Sequence, residues 1–159
     1  MFTVMELALL TDNEQETKEL GKMLSKLLPP NSVVLLKGDL GSGKTTLVKG
    51  VAEGLGIKEP VLSPTFNILK CYFESIPPLY HIDAYRLENA NLEMGLEEYI
   101  DGDGLCFIEW PDRINELLPR QHLDIFLFRK DENTRSILLQ SNGAKYDEVI
   151  KKLTEQVDG

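Results

Sequence analysis

Leu20, Met23, Leu24, Leu27 and Leu28 recur at three- and four-residue intervals, which predicts a helix over Thr11 to Leu28. Thr11 followed by Glu14 has capping-box spacing, and Pro29-Pro30 stops the helix. The pattern then changes. Ser32 to Lys37 (SVVLLK) is a short β-branched apolar run without alternation, the mark of a strand covered on both faces, as in a parallel sheet. A Gly-rich turn follows, then a helix from about Lys44 to Gly54 with Leu47, Val48 and Val51 inward. Phe66 to Glu74 and Leu79 to Asp83 read as strands joined by a hairpin-like connection through Ile76-Pro77-Pro78. Asn91 to Ile100 has weak helical character, and Leu105 to Glu109 (LCFIE) is another buried strand. Leu123 to Phe128 and Arg135 to Gln140 form a late antiparallel pair around the polar turn KDENT. Tyr146, Val149, Ile150 and Leu153 give a closing amphipathic helix.

Strands and helices alternating around a Gly-rich turn predict an α/β layered domain: a central, mostly parallel sheet with antiparallel edge strands, flanked by helices. The apolar start, MFTVMELALL, has no basic residue and no small-residue cleavage site, so an edge strand is expected there rather than a signal peptide. A length of 159 residues fits one domain over 1–159. The hydrophobic share of 42% and charged share of 27% exclude a collagenous or wholly disordered chain. Apolar runs such as Leu7 to Leu10 and Val33 to Leu36 are too short to span a bilayer, so no membrane role is expected. Seventeen basic against 26 acidic residues leave a net charge of −9. Such a surface disfavours tight, direct nucleic-acid binding, without excluding a small basic nucleotide pocket. Cys71 and Cys106 sit in apolar strand-like runs without CxxC spacing, and are expected to be buried, reduced thiols of a cytoplasmic protein. Two distant histidines and no Cys cluster argue against zinc.

The chemistry starts at Gly38. The run GDLGSGKTT (Gly38 to Thr46) fits G-x-x-x-x-G-K-[ST], and it follows a predicted strand and opens a predicted helix, the context that motif requires. Backbone N–H groups from Gly38, Asp39, Leu40, Gly41, Ser42 and Gly43 would curl around phosphate, with the following helix adding the positive end of its dipole. Lys44 would reach the β- and γ-phosphates and Thr45 would ligate Mg²⁺, with Thr46 completing the turn. Turnover also needs carboxylates. Glu109 ends LCFIE and Asp83 ends LYHID, and ligands of parallel sheets sit beyond the carboxyl ends of the strands. His81 shares a strand face with Asp83 and could orient it or sense phosphate. His122, at the start of a late strand, is expected to be a surface or half-buried residue.

Four stretches now coincide: GDLGSGKTT, SPTF (Ser63 to Phe66), HIDAYRL (His81 to Leu87) and IEWP (Ile108 to Pro111). Together they resemble the TsaE family, bacterial P-loop ATPases required for making threonylcarbamoyladenosine in tRNA. The resemblance runs from about Thr11 through Arg135. It implies ATP and Mg²⁺ as cofactors, with Lys44 matching the phosphate lysine and Thr45 the magnesium hydroxyl. Glu109 matches the metal-side carboxylate. Asp83 matches an aspartate that coordinates metal water or activates the attacking water. Ser63 to Phe66 resembles a mobile switch segment, with Thr65 able to approach the γ-phosphate. Thr11 and Arg135 look like the flanking residues placed near the adenine. Tyr85, Arg86 and Trp110 match the remaining signature positions, with partner docking, switch packing and nucleotide contact all open. The partners implied are TsaD and TsaB, the transferase core that modifies adenosine 37. ATP hydrolysis would reset that core rather than supply the threonylcarbamoyl group, and tRNA would be met only indirectly.

Two other functions share the loop. A small-molecule kinase commonly carries an Arg-rich lid, whereas the arginines here are scattered (Arg86, Arg113, Arg120, Arg129, Arg135). A GTP switch would want an N-K-x-D segment, and none is present.

Overall fold

The computed structural model describes residues 5–39, 41–62, 68–85, 87 and 95–158. Leu40, Ser63 to Phe66 with Thr65, Arg86, and the first part of the helix expected over Asn91 to Ile100 lie outside the described residues. The elements run β1 (Glu6–Thr11), α1 (Glu14–Leu27), β2 (Ser32–Lys37), α2 (Lys44–Gly54), β3 (Leu69–Tyr72), β4 (Leu79–Asp83), α3 (Glu97–Ile100) and β5 (Leu105–Glu109). A 3-10 helix (Pro111–Leu117), β6 (His122–Arg129), β7 (Arg135–Asn142) and α4 (Ala144–Asp158) complete the order.

The seven strands form one sheet, ordered β1-β7-β6-β2-β5-β4-β3. Its centre, β6-β2-β5-β4, is parallel. Antiparallel strands close both sides, β7 and β1 beyond β6, and β3 beyond β4. This mixed α/β architecture, parallel at its core, is the fold class the sequence pattern predicts. β2 and β5 are buried almost throughout, which is why they read as unbroken apolar runs. On one face Val34, Leu36, Phe107, Leu123 and Ile125 pack against α1, α2 and α4. On the other, Val33, Leu35, Ile82, Cys106 and Ile108 pack against Ile100 of α3 and Ile114 of the 3-10 helix.

Register positions the site. Leu36 and Asp83 both pair with Glu109, so β2, β5 and β4 finish level with one another. α2, which starts beyond β2, is held against α1 by a glycine contact. A Cβ on Gly50 would overlap the backbone of Lys18.

Three expectations need correction. The first helix is capped by Asn13, whose side chain accepts from Glu16 N at 2.9 Å, and not by Thr11. Thr11 pairs with Arg135 as the last residue of β1, and its hydroxyl is taken by Thr17 at 2.8 Å. Glu16 closes the cap by accepting from Asp12 N at 2.9 Å. Of the strand expected over Phe66 to Glu74, Phe66 and Asn67 lie outside the described residues, and among the described ones pairing covers Leu69–Tyr72 and stops short of Glu74. Cys71 is half-buried rather than buried, while Cys106 is fully buried; both are free thiols, and burial pushes both up from the ordinary thiol range. His122 is half-buried at the start of β6, as expected, with Nδ1 3.3 Å from Asp124.

Candidate functional site

A cleft of about 750 Å³ opens at the carboxyl ends of the parallel strands. Its floor is Gly41 to Thr46 at the start of α2. Gly43 occupies the N-cap position with φ 103° and offers no side chain to the first turn, so the α2 amides face the cleft uncapped. A left-handed conformation there is strained for any residue with a Cβ. Ser42 N donates to Asp39 O at 3.1 Å and curls the loop. A Cβ on Gly38 would come within 2.6 Å of Ser42 Oγ and 2.5 Å of Leu127 O. Ser42 Oγ is itself buried without a hydrogen-bond partner among the described residues. An uncapped helix start, a loop that admits no side chain at Gly38 and an unsatisfied hydroxyl together suit a phosphate group.

Lys44 is 6% exposed. Its ammonium donates to Gly38 O at 2.7 Å, lies 3.9 Å from Glu109 Oε1 and sits 4.2 Å above the Trp110 ring. Burial pushes its pKa down from the ordinary lysine value, while Glu109, Asp83 and Asp39 pull it back up. One carbonyl, an ammonium–ring contact and a carboxylate beyond hydrogen-bond range leave donors available for an anion.

The two strand-end carboxylates come together as the register requires. Asp83 and Glu109 are both buried and both line the cleft. Asp83 Oδ1 accepts from Tyr85 N at 3.0 Å, and Asp83 N donates to Ile68 O at 2.7 Å. The ladder continues one step further, from Ala84 N to Glu109 O at 3.0 Å. His81 does not orient Asp83. Its Nε2 lies 2.6 Å from Glu109 Oε2, in the interior. Among the described residues no group of three or more His, Cys, Asp or Glu could hold a metal unaided. Thr45, Asp83 and Glu109 instead offer hard oxygens on one cleft, the donor set that Mg²⁺ uses together with substrate phosphates.

Trp110 follows Glu109 in the left-handed region (φ 57°, ψ 52°), which turns the chain out of β5 into the 3-10 helix with Pro111 as its first residue. Such a conformation costs on the order of 1–3 kcal/mol in a non-glycine residue. It brings the indole under the Lys44 ammonium and against Tyr85, ring centroids 5.0 Å apart. Tyr85 is half exposed, with the Arg113 guanidinium 5.5 Å from its ring.

The far end of the cleft is built by the β6–β7 turn and the start of α1. Arg135 lines it, with Nη1 bound to the carbonyls of Asp131, Glu132 and Thr134 at 3.0, 3.3 and 3.1 Å. Thr11 does not reach the cleft; it stands behind Thr17, which does. Asn13, Glu14, Thr17, Glu132 and Asn133 also line the cleft, a role that nothing in the sequence assigns to them. Asn13 and Thr17 share a helix face by their spacing of four, and the Asx-type turn at Asp131 is legible in KDENT, but only the sheet order brings the two segments together.

The family model for threonylcarbamoyl adenosine biosynthesis protein TsaE matches residues 11–137. The chain belongs to the TsaE family. It is 43% identical over 144 residues to the tRNA threonylcarbamoyladenosine biosynthesis protein TsaE of Bacillus subtilis, covering 91% of each chain. It is 43% identical over 128 residues to the TsaE of Nostoc sp. strain PCC 7120, covering 77% of this chain and 78% of that one. The crystal structure of Bacillus subtilis YdiB superposes with a TM-score of 0.86 at 38% identity, over 98% of this chain and 99% of that one. The matched span includes every residue named above that lines the cleft. No helix among the described residues is long and apolar enough to cross a membrane.

Proposed function

We propose that this TsaE-family chain is a single-domain, cytoplasmic ATPase that acts on the TsaD–TsaB transferase pair during threonylcarbamoylation of adenosine 37 in tRNA. The observation that carries the reading is the convergence of Lys44 and the uncapped start of α2 with two buried carboxylates, Asp83 and Glu109, on one cleft.

The roles follow from chemistry. The loop amides from Gly38 to Gly43 and the Lys44 ammonium bind the phosphates, and the region around Thr17, Asn133 and Arg135 takes the nucleoside end. Thr45, Glu109 and Asp83 would hold Mg²⁺, which would supply neutralisation of the phosphate charge. Asp83, fixed by the Tyr85 amide, orients the attacking water or receives its proton. Thr65 is proposed to approach the γ-phosphate. The transferase pair, rather than tRNA, is the direct partner, in keeping with a net charge of −9. It accelerates hydrolysis by ordering the site and excluding water.

The test is phosphate release with Mg-ATP, by the chain alone and with its TsaD–TsaB pair. Slow release alone and a marked rise with the pair are expected. Asp83→Asn and Glu109→Gln should lose about 10²-fold or more of the stimulated rate while still binding nucleotide. Full-speed turnover by the isolated chain, unchanged by the pair, or accumulation of a phosphorylated metabolite in place of phosphate, would overturn the reading in favour of a kinase.

A further inference from the structure

Glu109 is reached from two sides by groups on different elements. Lys44 Nζ lies 3.9 Å from Oε1, and His81 Nε2 lies 2.6 Å from Oε2. The imidazole is wholly buried on β4. Its register partner on β5 is Phe107, so the ring leans two residues along the strand to meet Glu109, a diagonal contact that a long side chain can make. Its other nitrogen, Nδ1, has no hydrogen-bond partner among the described residues. A carboxylate only accepts, so Nε2 carries a proton and donates it to Oε2.

Resting on the reading of Glu109 given above, we infer that His81 is a positioning residue that acts through Glu109. By engaging Oε2 it leaves Oε1 as the oxygen presented to the cleft. It also restrains the carboxylate from swinging onto Lys44 to form a closed ion pair. The 3.9 Å gap is what that restraint produces: near enough for attraction, too long for a hydrogen bond. A closed pair would occupy the ammonium that phosphate needs and withdraw the oxygen offered to a hard cation. Nothing else among the described residues hydrogen-bonds the Glu109 carboxylate, so the clamp is a single contact.

The experiment is a mutant cycle read by two measurements on the full chain. The first is the ratio of ATP affinities with and without Mg²⁺, by titration calorimetry; the second is kcat and KM for phosphate release with the transferase pair. His81→Leu keeps the volume and removes the donor. It should lower kcat about 10- to 100-fold, the usual effect of losing a partner of a metal-side ligand, with KM changing much less, and it should shrink the Mg²⁺ enhancement of binding. In a Glu109→Gln background the same change should add almost nothing, because the residue acts through a carboxylate already removed. His81→Gln, whose amide nitrogen reaches the place of Nε2, should recover most of the rate, whereas His81→Asn, one bond shorter, should not. That pair of polar variants decides the matter if His81→Leu fails to fold. Equal rates for His81→Gln and His81→Asn, or an undiminished effect of His81→Leu in Glu109→Gln, would overturn the clamp. Wild-type turnover in Glu109→Gln alone would instead overturn the role of Glu109 on which the clamp depends.

Discussion

The parallel strands have two ends, and their polar groups are treated in opposite ways. At the amino ends the backbone is stitched. Asn31, in the left-handed region that Asn tolerates, donates its side chain to Gly102 O at 2.6 Å and its amide to Gly104 O at 3.0 Å. It also receives Lys145 Nζ at 2.6 Å on its carbonyl. Val33 N donates to the Tyr146 hydroxyl at 2.8 Å, and Leu105 N to Pro78 O at 2.9 Å. At the carboxyl ends sit a buried lysine, two buried carboxylates and a buried histidine, with Ser42 Oγ and His81 Nδ1 left without partners among the described residues. Ile68 and Trp110 hold left-handed conformations there, at φ 64° and 57°, although neither residue type favours them. The amino ends are satisfied by hydrogen bonds within the chain. The carboxyl ends gather buried charge beside the uncapped start of α2, which suits an anion site built on a sheet.

The largest expected effect tests the costly end. Lys44→Ala should weaken ATP binding about 10- to 150-fold, corresponding to the roughly 1.5–3 kcal/mol of a hydrogen bond to a charged group. Its melting temperature should not fall, because the ammonium is a desolvated charge and not a packing element. Titration calorimetry and thermal melting of the same sample check both halves. A folded variant with near-normal ATP affinity would remove the phosphate from this loop, and a large loss of stability would erase the contrast between the two ends.

The same contrast explains what the sequence could tell. β2, α2, β4 and β5 were legible to the residue because their signals are local: an apolar run, a Gly-rich turn, a strand ending in a carboxylate. Lys44, Asp83 and Glu109 were legible for the same reason, and the sheet register brings them to one cleft. The 3-10 helix was not, since it depends on a left-handed Trp110 that no propensity predicts. Capping-box spacing points to Thr11, but Asn13 caps the helix because β1 runs to Thr11 itself before the helix can begin. The partner of His81 was equally hidden. Strand periodicity pairs it with Asp83, and only a neighbouring strand in register supplies Glu109. Sequence reveals residues on one element well, and contacts that cross elements poorly.

A smaller effect is expected at the stitched end. Tyr146→Phe keeps the buried ring but leaves Val33 N without its acceptor. Losing one partner of a buried amide should cost about 1–3 kcal/mol, which in a chain of this size is roughly 2–4 °C of melting temperature per kcal/mol. ATP affinity should stay within about twofold of wild type, because this bond lies at the opposite strand ends from Lys44. Chemical denaturation and calorimetry measure the two quantities. A variant that loses nucleotide but keeps its stability would show that the ends are coupled, and the division of labour would fail.

The smallest effect is a pH dependence carried by Lys44. Burial lowers its pKa in the folded protein, against the upward pull of Glu109, Asp83 and Asp39. At pH values below the lowered folded value both folded and unfolded chains hold the proton, and the desolvation penalty is present in full. Between that value and the unfolded one, about 10.4, the unfolded chain holds more protons, so stability rises with pH. Wild type should therefore gain melting temperature relative to Lys44→Met as pH rises through this window. Nucleotide reverses the sign for binding. A phosphate beside the ammonium restores its pKa, so ATP binding takes up a fraction of a proton there and affinity falls as pH rises. Calorimetry in two buffers of different ionisation enthalpy reads that uptake directly. Proton uptake by wild type that Lys44→Met lacks would assign the desolvated charge to Lys44. Identical pH profiles in the two proteins would mean that the lysine is no more desolvated than an ordinary surface residue, and the carboxyl ends would lose the buried cation that an anion site there needs.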